Sequence, residues 1–273
     1  MYKLIITDLD DTLYPWIDFF IPAFYEMVKE ISLITGIEEE TLLHEYREQH
    51  QRVGTVEYPF ITLSIPSINK FYAGMGEDEI KIKLNSAFHK FNSVRKHKLK
   101  LFDGVAESLQ KIFDAGITII GYTESAEENG FYRLKKLGID TLFSKVYVSE
   151  SQYETQNNLY QSEKTKEVKG KKPNPEVLLE ICKTENTETS ETLYMGDSLT
   201  KDVYMAKKAG IACIQVKCQE YNAELYKKLV AISHWTKNDF IREQSLKEKC
   251  QLEAIKPDFV VTNFGDIIDI LGL

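Results

Sequence analysis

The chain has a short apolar run that ends abruptly in a cluster of carboxylates. Residues 4–7 are Leu-Ile-Ile-Thr, and Asp8, Asp10 and Asp11 follow directly. Such a run predicts a buried strand with acid at its C-terminal tip, the edge at which open α/β sheets bind ligands. Side chains two apart on an extended segment share a face, so Asp8 and Asp10 are expected to converge. An acidic turn that merely ends a strand stays open as an alternative.

The same arrangement recurs further along the chain. Apolar runs at 117–122 and 192–195 both lead into polar residues, and a basic segment, Lys-Pro-Asn-Pro, lies between them. The polar residues of these three segments are Thr123, Lys172, Asp197, Ser198 and Asp202. Phosphoryl transfer through an aspartyl intermediate needs a carboxylate nucleophile, a proton donor and charge stabilisation. The segments supply all three.

In this order the segments resemble the four motifs of the haloacid dehalogenase-like (HAD) phosphohydrolase superfamily. The first motif is Asp-x-Asp-x-Thr, the second a hydroxyl at a strand end, the third a lysine and the fourth an acidic pair. The matching residues are Asp8, Asp10, Thr12, Thr123, Lys172, Asp197, Ser198 and Asp202. Lys171 stays open as an alternative to Lys172, because only the Pro-x-Pro that follows favours Lys172.

The resemblance implies a phosphatase that works through an aspartyl phosphate. It makes Asp8 the nucleophile, and Asp10 the group that protonates the departing alkoxide and then deprotonates water. Thr123, with Glu124 beside it, and Lys172 would bind the phosphoryl group. Glu124 departs from the commoner asparagine at this place in the family. Its charge either points away from the phosphate or contacts a basic or hydroxylated leaving group.

Mg²⁺ is the cofactor that the resemblance implies, since this hard ion prefers oxygen ligands and keeps several waters. The implied ligands are Asp8, the backbone carbonyl of Asp10, and Asp197. Three further residues would support these ligands without binding the ion themselves. They are Thr12, Ser198 and Asp202, of which Asp202 would hold the Lys172 ammonium.

Periodicity divides the chain into a core and an insert. Residues 14–97 have apolar side chains at three- and four-residue steps, typical of helices. From about residue 98, strands alternate with helices, which indicates a parallel sheet. We therefore predict a doubly wound α/β core formed by 1–13 and 98–273, and a smaller helical cap formed by 14–97. The cap resembles an insert that many HAD phosphatases carry after the first motif.

Within the core, several apolar runs are strand candidates. They lie at 117–122, 145–149, 192–195, 211–216 and 258–262. Residues 150–170 are polar and predict a long loop. Residues 218–256 predict charged helices, and the sequence assigns no role to either stretch.

The amino-acid composition limits the partners and the location that the protein is expected to have. The 273 residues are 43% hydrophobic and carry a net charge of −8, which argues against nucleic acid or an anionic membrane as partner. No stretch approaches the ~20 apolar residues of a membrane span. The four cysteines lack metal-ligand spacing, which favours reduced thiols and a cytoplasmic location. The oligomeric state stays open.

A small soluble phosphomonoester is the predicted substrate, and sugar phosphates, nucleoside monophosphates and phosphoglycolate-like acids all stay open. A nucleotide is slightly favoured because aromatic side chains of the insert could stack a base; these are Tyr14, Trp16, Phe19, Phe20, Tyr58 and Phe60. Three alternatives remain: a non-catalytic phospho-ligand-binding or assembly protein on the same fold, a phosphonatase, and a phosphomutase. A fold alone does not fix function, but a binding module would be expected to lose a motif residue.

Overall fold

The computed structural model describes residues 1–150 and 162–273. They form two compact units: an α/β unit of Met1–Pro15, Lys100–Glu220 and Arg242–Leu273, and a helical unit of Trp16–Leu99 and Tyr221–Ile241. These bounds differ from the predicted ones by two residues at 14–15 and at 98–99, and in one larger respect. Residues 221–241, which the sequence placed in a core of 98–273, belong to the helical unit.

The strands of the α/β unit are β1 (Leu4–Thr7), β2 (Thr118–Ala126), β3 (Lys145–Ser149), β4 (Thr165–Val168), β5 (Thr192–Gly196), β6 (Ala212–Val216) and β7 (Phe259–Val261). The described residues form one sheet of seven parallel strands in the order β4-β3-β2-β1-β5-β6-β7. The predicted doubly wound α/β class is thereby confirmed.

The helices, in chain order, are α1 (Trp16–Thr35), α2 (Glu39–Val53), α3 (Pro66–Phe71), α4 (Glu77–Lys83), α5 (Asn85–Lys98), α6 (Val105–Asp114), α7 (Glu127–Leu137), α8 (Pro175–Thr184), α9 (Tyr204–Lys208), α10 (Ala223–Ile232), α11 (Lys237–Leu252) and α12 (Ile267–Leu271). Among the helices described, none is long and apolar enough to cross a membrane. The cytoplasmic location stays a prediction.

Strand β1 lies at the centre of the sheet and is fully buried. Its last residue, Thr7, pairs with Gly121 of β2 on one side and with Met195 of β5 on the other. Strands β1 and β5 therefore end side by side, and β2 continues past them to Ala126. Because polar residues follow each of these pairing positions, the order of the strands alone brings three of the four motif segments to one edge.

The predicted loop over 150–170 is wrong for its last part. Residues 151–161 lie outside the described residues, but Thr165–Val168 form β4, which pairs with β3 at the edge of the sheet. An edge strand has a neighbour on one side only and tolerates charged side chains. The sequence Thr-Lys-Glu-Val therefore lacks the apolar run by which the other strands were recognised.

Residues 221–241 belong to the helical unit because α10 packs against α1 and α2. The Tyr25 hydroxyl donates a hydrogen bond to the Lys228 carbonyl at 3.0 Å. The Gln51 amide donates one to the Trp235 carbonyl at 3.1 Å. A pattern of charged residues identifies a helix but not the surface on which it packs, so the sequence could not assign this stretch.

His50 is fully buried in the helical unit, where its Nδ1 lies 2.7 Å from the Ile232 carbonyl. Burial lowers its pKa from 6.5 to about 4, with the Ile232 contact opposing and His234 adding to the shift. Its ring packs against the rings of Phe24 and Tyr46, as expected of a histidine in a core.

We predict that His50 makes the protein less stable as the pH falls from 6.5 towards 4. In this window the unfolded chain binds a proton that the folded chain does not, so the free energy of unfolding decreases, by about 3 kcal/mol at most. Urea unfolding of wild type and His50→Gln at several pH values measures this loss. The variant should have the shallower pH dependence. His89→Gln, which replaces an exposed histidine, should show the wild-type pH dependence of the free energy of unfolding. The same pH dependence in all three proteins would contradict the prediction.

Candidate active site

Asp8 and Lys172 form a buried ion pair at the tip of β1. The Lys172 ammonium donates a hydrogen bond to Asp8 Oδ1 at 2.5 Å, and both side chains are almost fully buried. The Thr12 hydroxyl donates to the other oxygen, Oδ2, at 3.1 Å. Lys171 is exposed. The structure thus brings Lys172 and not Lys171 to Asp8, and places the Thr12 hydroxyl on the second oxygen of its carboxylate.

The Lys172 ammonium has two further polar partners. It donates to Asp202 Oδ1 and to the Tyr194 hydroxyl, both at 2.9 Å, and that hydroxyl donates to Asp202 at 2.7 Å. The rings of Tyr122 and Tyr194 lie 4.9 and 5.6 Å from the nitrogen, within the range of cation–π attraction. Burial by itself would lower the pKa of Lys172, but Asp202 and Asp8 outweigh it and raise the pKa above its usual value. The lysine is therefore a fixed cation.

Asp202 is held from two sides. One oxygen binds Lys172 and Tyr194, and the other accepts the Ser198 N–H at 3.1 Å. It lies in a π-helical turn, Leu199–Val203, that follows β5. A Cβ on Gly196 would lie 2.5 Å from Asp202 Cγ, so only glycine permits this approach. The fourth motif is thus shaped around a carboxylate that holds the lysine.

Three carboxylates lie together at this edge of the sheet. Oxygens of Asp8, Asp197 and Asp202 are all within 4.8 Å of one another. Burial, Asp202 and Asp197 raise the pKa of Asp8 against the opposing effect of Lys172. Burial, Asp202 and Asp11 raise the pKa of Asp197 to about 8. One lysine does not balance this charge. Carboxylate oxygens are the ligands that Mg²⁺ prefers, and the group contains both of the carboxylates expected to bind it, Asp8 and Asp197.

Asp10 occupies a separate network beside the ion pair. Arg133, on α7, donates to its Oδ1 at 2.7 Å. The hydroxyls of Ser125 and Thr123, two apart on β2, donate to Oδ2 at 2.8 and 3.3 Å. The register of β2 against β3 shifts in this part of the strand, between Tyr122 and Ala126. The Asp10 side chain does not belong to the three-carboxylate group above.

The carboxylate of Glu124, a predicted phosphate contact, is paired within the protein. Its carboxylate accepts a hydrogen bond from the Lys201 ammonium at 2.5 Å and one from the backbone N–H of Lys172 at 3.1 Å. Burial alone would lower the pKa of Lys201, but Glu124 raises it, so the pair is charged. Lys201 thus neutralises the negative charge of Glu124, which would otherwise oppose phosphate binding. This pairing favours the interpretation in which Glu124 points away from the phosphate.

Four residues of the site escaped the sequence analysis: Ser125, Arg133, Tyr194 and Lys201. Ser125 was within reach of prediction, since it lies two residues after Thr123 and shares its strand face. Tyr194 also gave a signal, a hydroxyl inside an otherwise apolar strand. Arg133 gave none, because an arginine on an amphipathic helix is normally exposed.

A model of the haloacid dehalogenase-like hydrolase family matches residues 2–210 of the sequence. The chain belongs to this family. A second model, described as HAD-hydrolase-like, matches residues 170–267. The matches confirm the resemblance and identify the protein as a hydrolase.

Two relatives illustrate the range of HAD-like proteins similar to this chain. Glyceraldehyde 3-phosphate phosphatase of Methanopyrus kandleri is 25% identical over 224 residues, which are 81% of this chain and 86% of the relative. Pyrophosphatase PpaX of Bacillus mycoides is 24% identical over 247 residues, 90% of this chain and 92% of the relative.

Solved HAD structures share the fold over almost the whole chain. A 2-haloacid dehalogenase from Pseudomonas syringae pv. tomato matches with a TM-score of 0.57 and 20% identity, covering all of this chain and 99% of its own. A HAD phosphatase from Thermococcus onnurineus matches with a TM-score of 0.55 and 15% identity, covering 99% and 98%. At these identities the likeness concerns the fold.

Proposed function

We propose that this HAD-like hydrolase is a Mg²⁺-dependent phosphatase that cleaves a small soluble phosphomonoester through a phosphorylated Asp8. The observation that carries the proposal is the fixed contact of Lys172 with Asp8, Asp202 and Tyr194. It places a permanent cation against a buried carboxylate at the strand tips. A carboxylate nucleophile that meets an anionic phosphoryl group needs such a cation, and the neighbouring carboxylates supply oxygen ligands for Mg²⁺.

In the first step, an oxygen of Asp8 attacks phosphorus and the bond from phosphorus to the ester oxygen breaks. Lys172 offsets negative charge on the phosphoryl oxygens, while Thr12 keeps the carboxylate of Asp8 in one orientation. The leaving alkoxide takes a proton from Asp10. The Thr123 hydroxyl, beside Asp10, is our candidate for binding a phosphoryl oxygen.

In the second step, Asp10 takes a proton from water, whose oxygen attacks phosphorus. The bond between phosphorus and Asp8 breaks, inorganic phosphate leaves and the free carboxylate returns. The two roles of Asp10 require that it carry a proton at one stage and none at the next. Its position beside Asp8, but outside the three-carboxylate group, is consistent with both.

Asp8 and Asp197 would hold the Mg²⁺ ion, together with the Asp10 carbonyl. The ion, when bound, offsets the charge of the carboxylates and of the phosphoryl group. Asp202 and Ser198 support this arrangement indirectly, since they fix Lys172 and the loop that carries Asp197.

The aromatic side chains give little support to the slight preference for a nucleotide as substrate. Tyr14, Phe19 and Phe20 are buried and offer no face to a base. Trp16 stacks on Phe20 with ring centroids 4.8 Å apart. We therefore propose a compact phosphate ester as substrate, which the name of one relative, glyceraldehyde 3-phosphate phosphatase, also supports. The proposal assigns the role of cap to the helical unit, because it is inserted directly after the first motif.

The test is hydrolysis of an aryl phosphate and a panel of small phosphate esters by the purified protein. Turnover with Mg²⁺ that stops in EDTA and returns when Mg²⁺ is added supports the proposal. Failure on the whole panel with Mg²⁺, or turnover that EDTA leaves unchanged, would contradict it. In the first case a phospho-ligand-binding role becomes the better account.

A further inference from the structure

Arg133 is buried in the α/β unit to a degree that its charge makes costly. Its side chain is 3% exposed, whereas Asp10, its partner, is 23% exposed. A buried guanidinium is destabilising unless it is paired and hydrogen-bonded. The protein therefore keeps a cation behind Asp10, on the side away from solvent, while part of the Asp10 carboxylate stays open.

The contacts of Arg133 form a closed ring with Asp10 and Ser125. The same guanidinium nitrogen, Nη1, donates to Asp10 Oδ1 at 2.7 Å and to the Ser125 hydroxyl at 3.1 Å. That hydroxyl in turn donates to Asp10 Oδ2 at 2.8 Å. Each oxygen of the carboxylate thus has a donor of its own. Together with the Thr123 hydroxyl, which also donates to Oδ2, these donors hold the carboxylate in one orientation, whereas a single contact would let it turn.

The elements that carry these donors are rigid. Ser125 lies on β2, and Arg133 lies on α7, which starts directly after that strand. A Cβ on Gly130, one turn before Arg133, would lie 3.1 Å from the Thr123 side chain. The close approach of α7 to β2 therefore depends on this glycine. This close approach brings the long side chain of Arg133 back to the strand tip.

From this geometry we infer that Arg133 and Ser125 are positioning residues that aim the carboxyl group of Asp10 at the leaving-group oxygen. The inference rests on the proposed function, in which Asp10 transfers the proton. Proton transfer requires hydrogen-bond reach and alignment, and a carboxylate free to rotate meets these conditions only part of the time. Arg133 would act through Asp10, the residue that it contacts.

The leaving-group dependence of kcat/KM tests the inference, because this constant reports the steps up to release of the alcohol. A nitrophenolate leaves readily without a proton, whereas an alkoxide does not. Arg133→Met should therefore lower kcat/KM by roughly 10²-fold for an alkyl phosphate such as glycerol phosphate, and by less than about tenfold for 4-nitrophenyl phosphate. Arg133→Lys should restore part of the loss. Lys136→Met, at an exposed lysine on α7, should behave as wild type.

A double-mutant cycle separates positioning from a general structural role. If Arg133 acts through Asp10, Arg133→Met should cause little further loss in the Asp10→Asn background. Ser125→Ala removes one donor with little change in volume. If Arg133→Met does not fold, Ser125→Ala should still show a selective, though smaller, loss of kcat/KM for the alkyl ester.

An equal loss on both esters, or a loss that adds fully to that of Asp10→Asn, would overturn the inference while leaving the phosphatase proposal intact. A wild-type protein that hydrolyses neither ester would instead remove the proposed function, and the inference with it.

Discussion

Replacing Asp8 with asparagine is expected to lower kcat/KM for every phosphate ester by on the order of 10⁵-fold. The amide is nearly isosteric with the carboxylate: its oxygen can accept from Lys172 and its NH2 can donate to the Thr12 hydroxyl, the two groups that contact the oxygens of Asp8. It is not a nucleophile, so no covalent phosphoryl intermediate forms. Steady-state kinetics with Mg²⁺ on an aryl and an alkyl phosphate measure the loss.

Asp11→Asn is the matched control for this substitution. Asp11 lies in the same loop with a positive φ of 58°, a conformation that asparagine tolerates well. This variant should retain at least about a tenth of the wild-type activity, because the same charge is removed without loss of the nucleophile. Substantial turnover by Asp8→Asn, after exclusion of deamidation by mass spectrometry, would contradict a nucleophilic role for Asp8.

Lys172→Met is expected to affect both activity and stability. The loss of its charge should lower kcat/KM by on the order of 10³-fold, since Asp8 would meet the phosphoryl group without a fixed cation. Removing one partner of a buried ion pair costs about 3–5 kcal/mol, because the other charge stays buried. Here Asp8, Asp202 and Asp197 would all lose their nearest cation.

Lys171→Met provides the control, because Lys171 is adjacent in sequence yet exposed. Its free energy of unfolding should change by no more than about 0.5 kcal/mol, and its activity should stay near that of wild type. Urea unfolding and ester hydrolysis, measured on wild type, Lys172→Met and Lys171→Met, test both expected effects. Mg²⁺ should stabilise Lys172→Met more than wild type. Equal effects of the two substitutions would show that Lys172 has no special role.

The position of the site followed from the sequence because its residues are tied to strand ends. Asp8, Thr123 and Asp197 each follow an apolar run, and parallel strands place their carboxyl ends at one edge. Lys172 could be recognised only by its order among the motifs. The structure then distinguished it from Lys171 by burial, a property that two adjacent lysines do not reveal in sequence.

The parts that could not be predicted depend on long-range contacts. Arg133 reaches Asp10 because α7 approaches β2 closely at Gly130, and no periodicity encodes that approach. The pairing of Glu124 with Lys201 joins positions far apart in the chain, so Glu124 was read as an uncompensated charge. In each case the sequence shows the residue but not its partner.

Burial likewise limited what could be said of the helical insert. Apolar spacing identified α1 correctly, but it could not tell whether aromatic side chains face a ligand or the interior. Phe19 and Phe20 are buried, as aromatic residues on a helix face usually are. A strand with polar residues, β4, was missed for the opposite reason, since its position at the sheet edge removes the apolar signal.

The most direct test of the central claim is the detection of the covalent intermediate. The wild-type protein is mixed with a ³²P-labelled ester and Mg²⁺, quenched in acid within the first turnover and digested for peptide mapping. The account predicts acid-stable, hydroxylamine-sensitive label on the peptide that contains Asp8, and none in Asp8→Asn. Label on another residue, or rapid turnover in which no label accumulates under any quench time or ester, would contradict it.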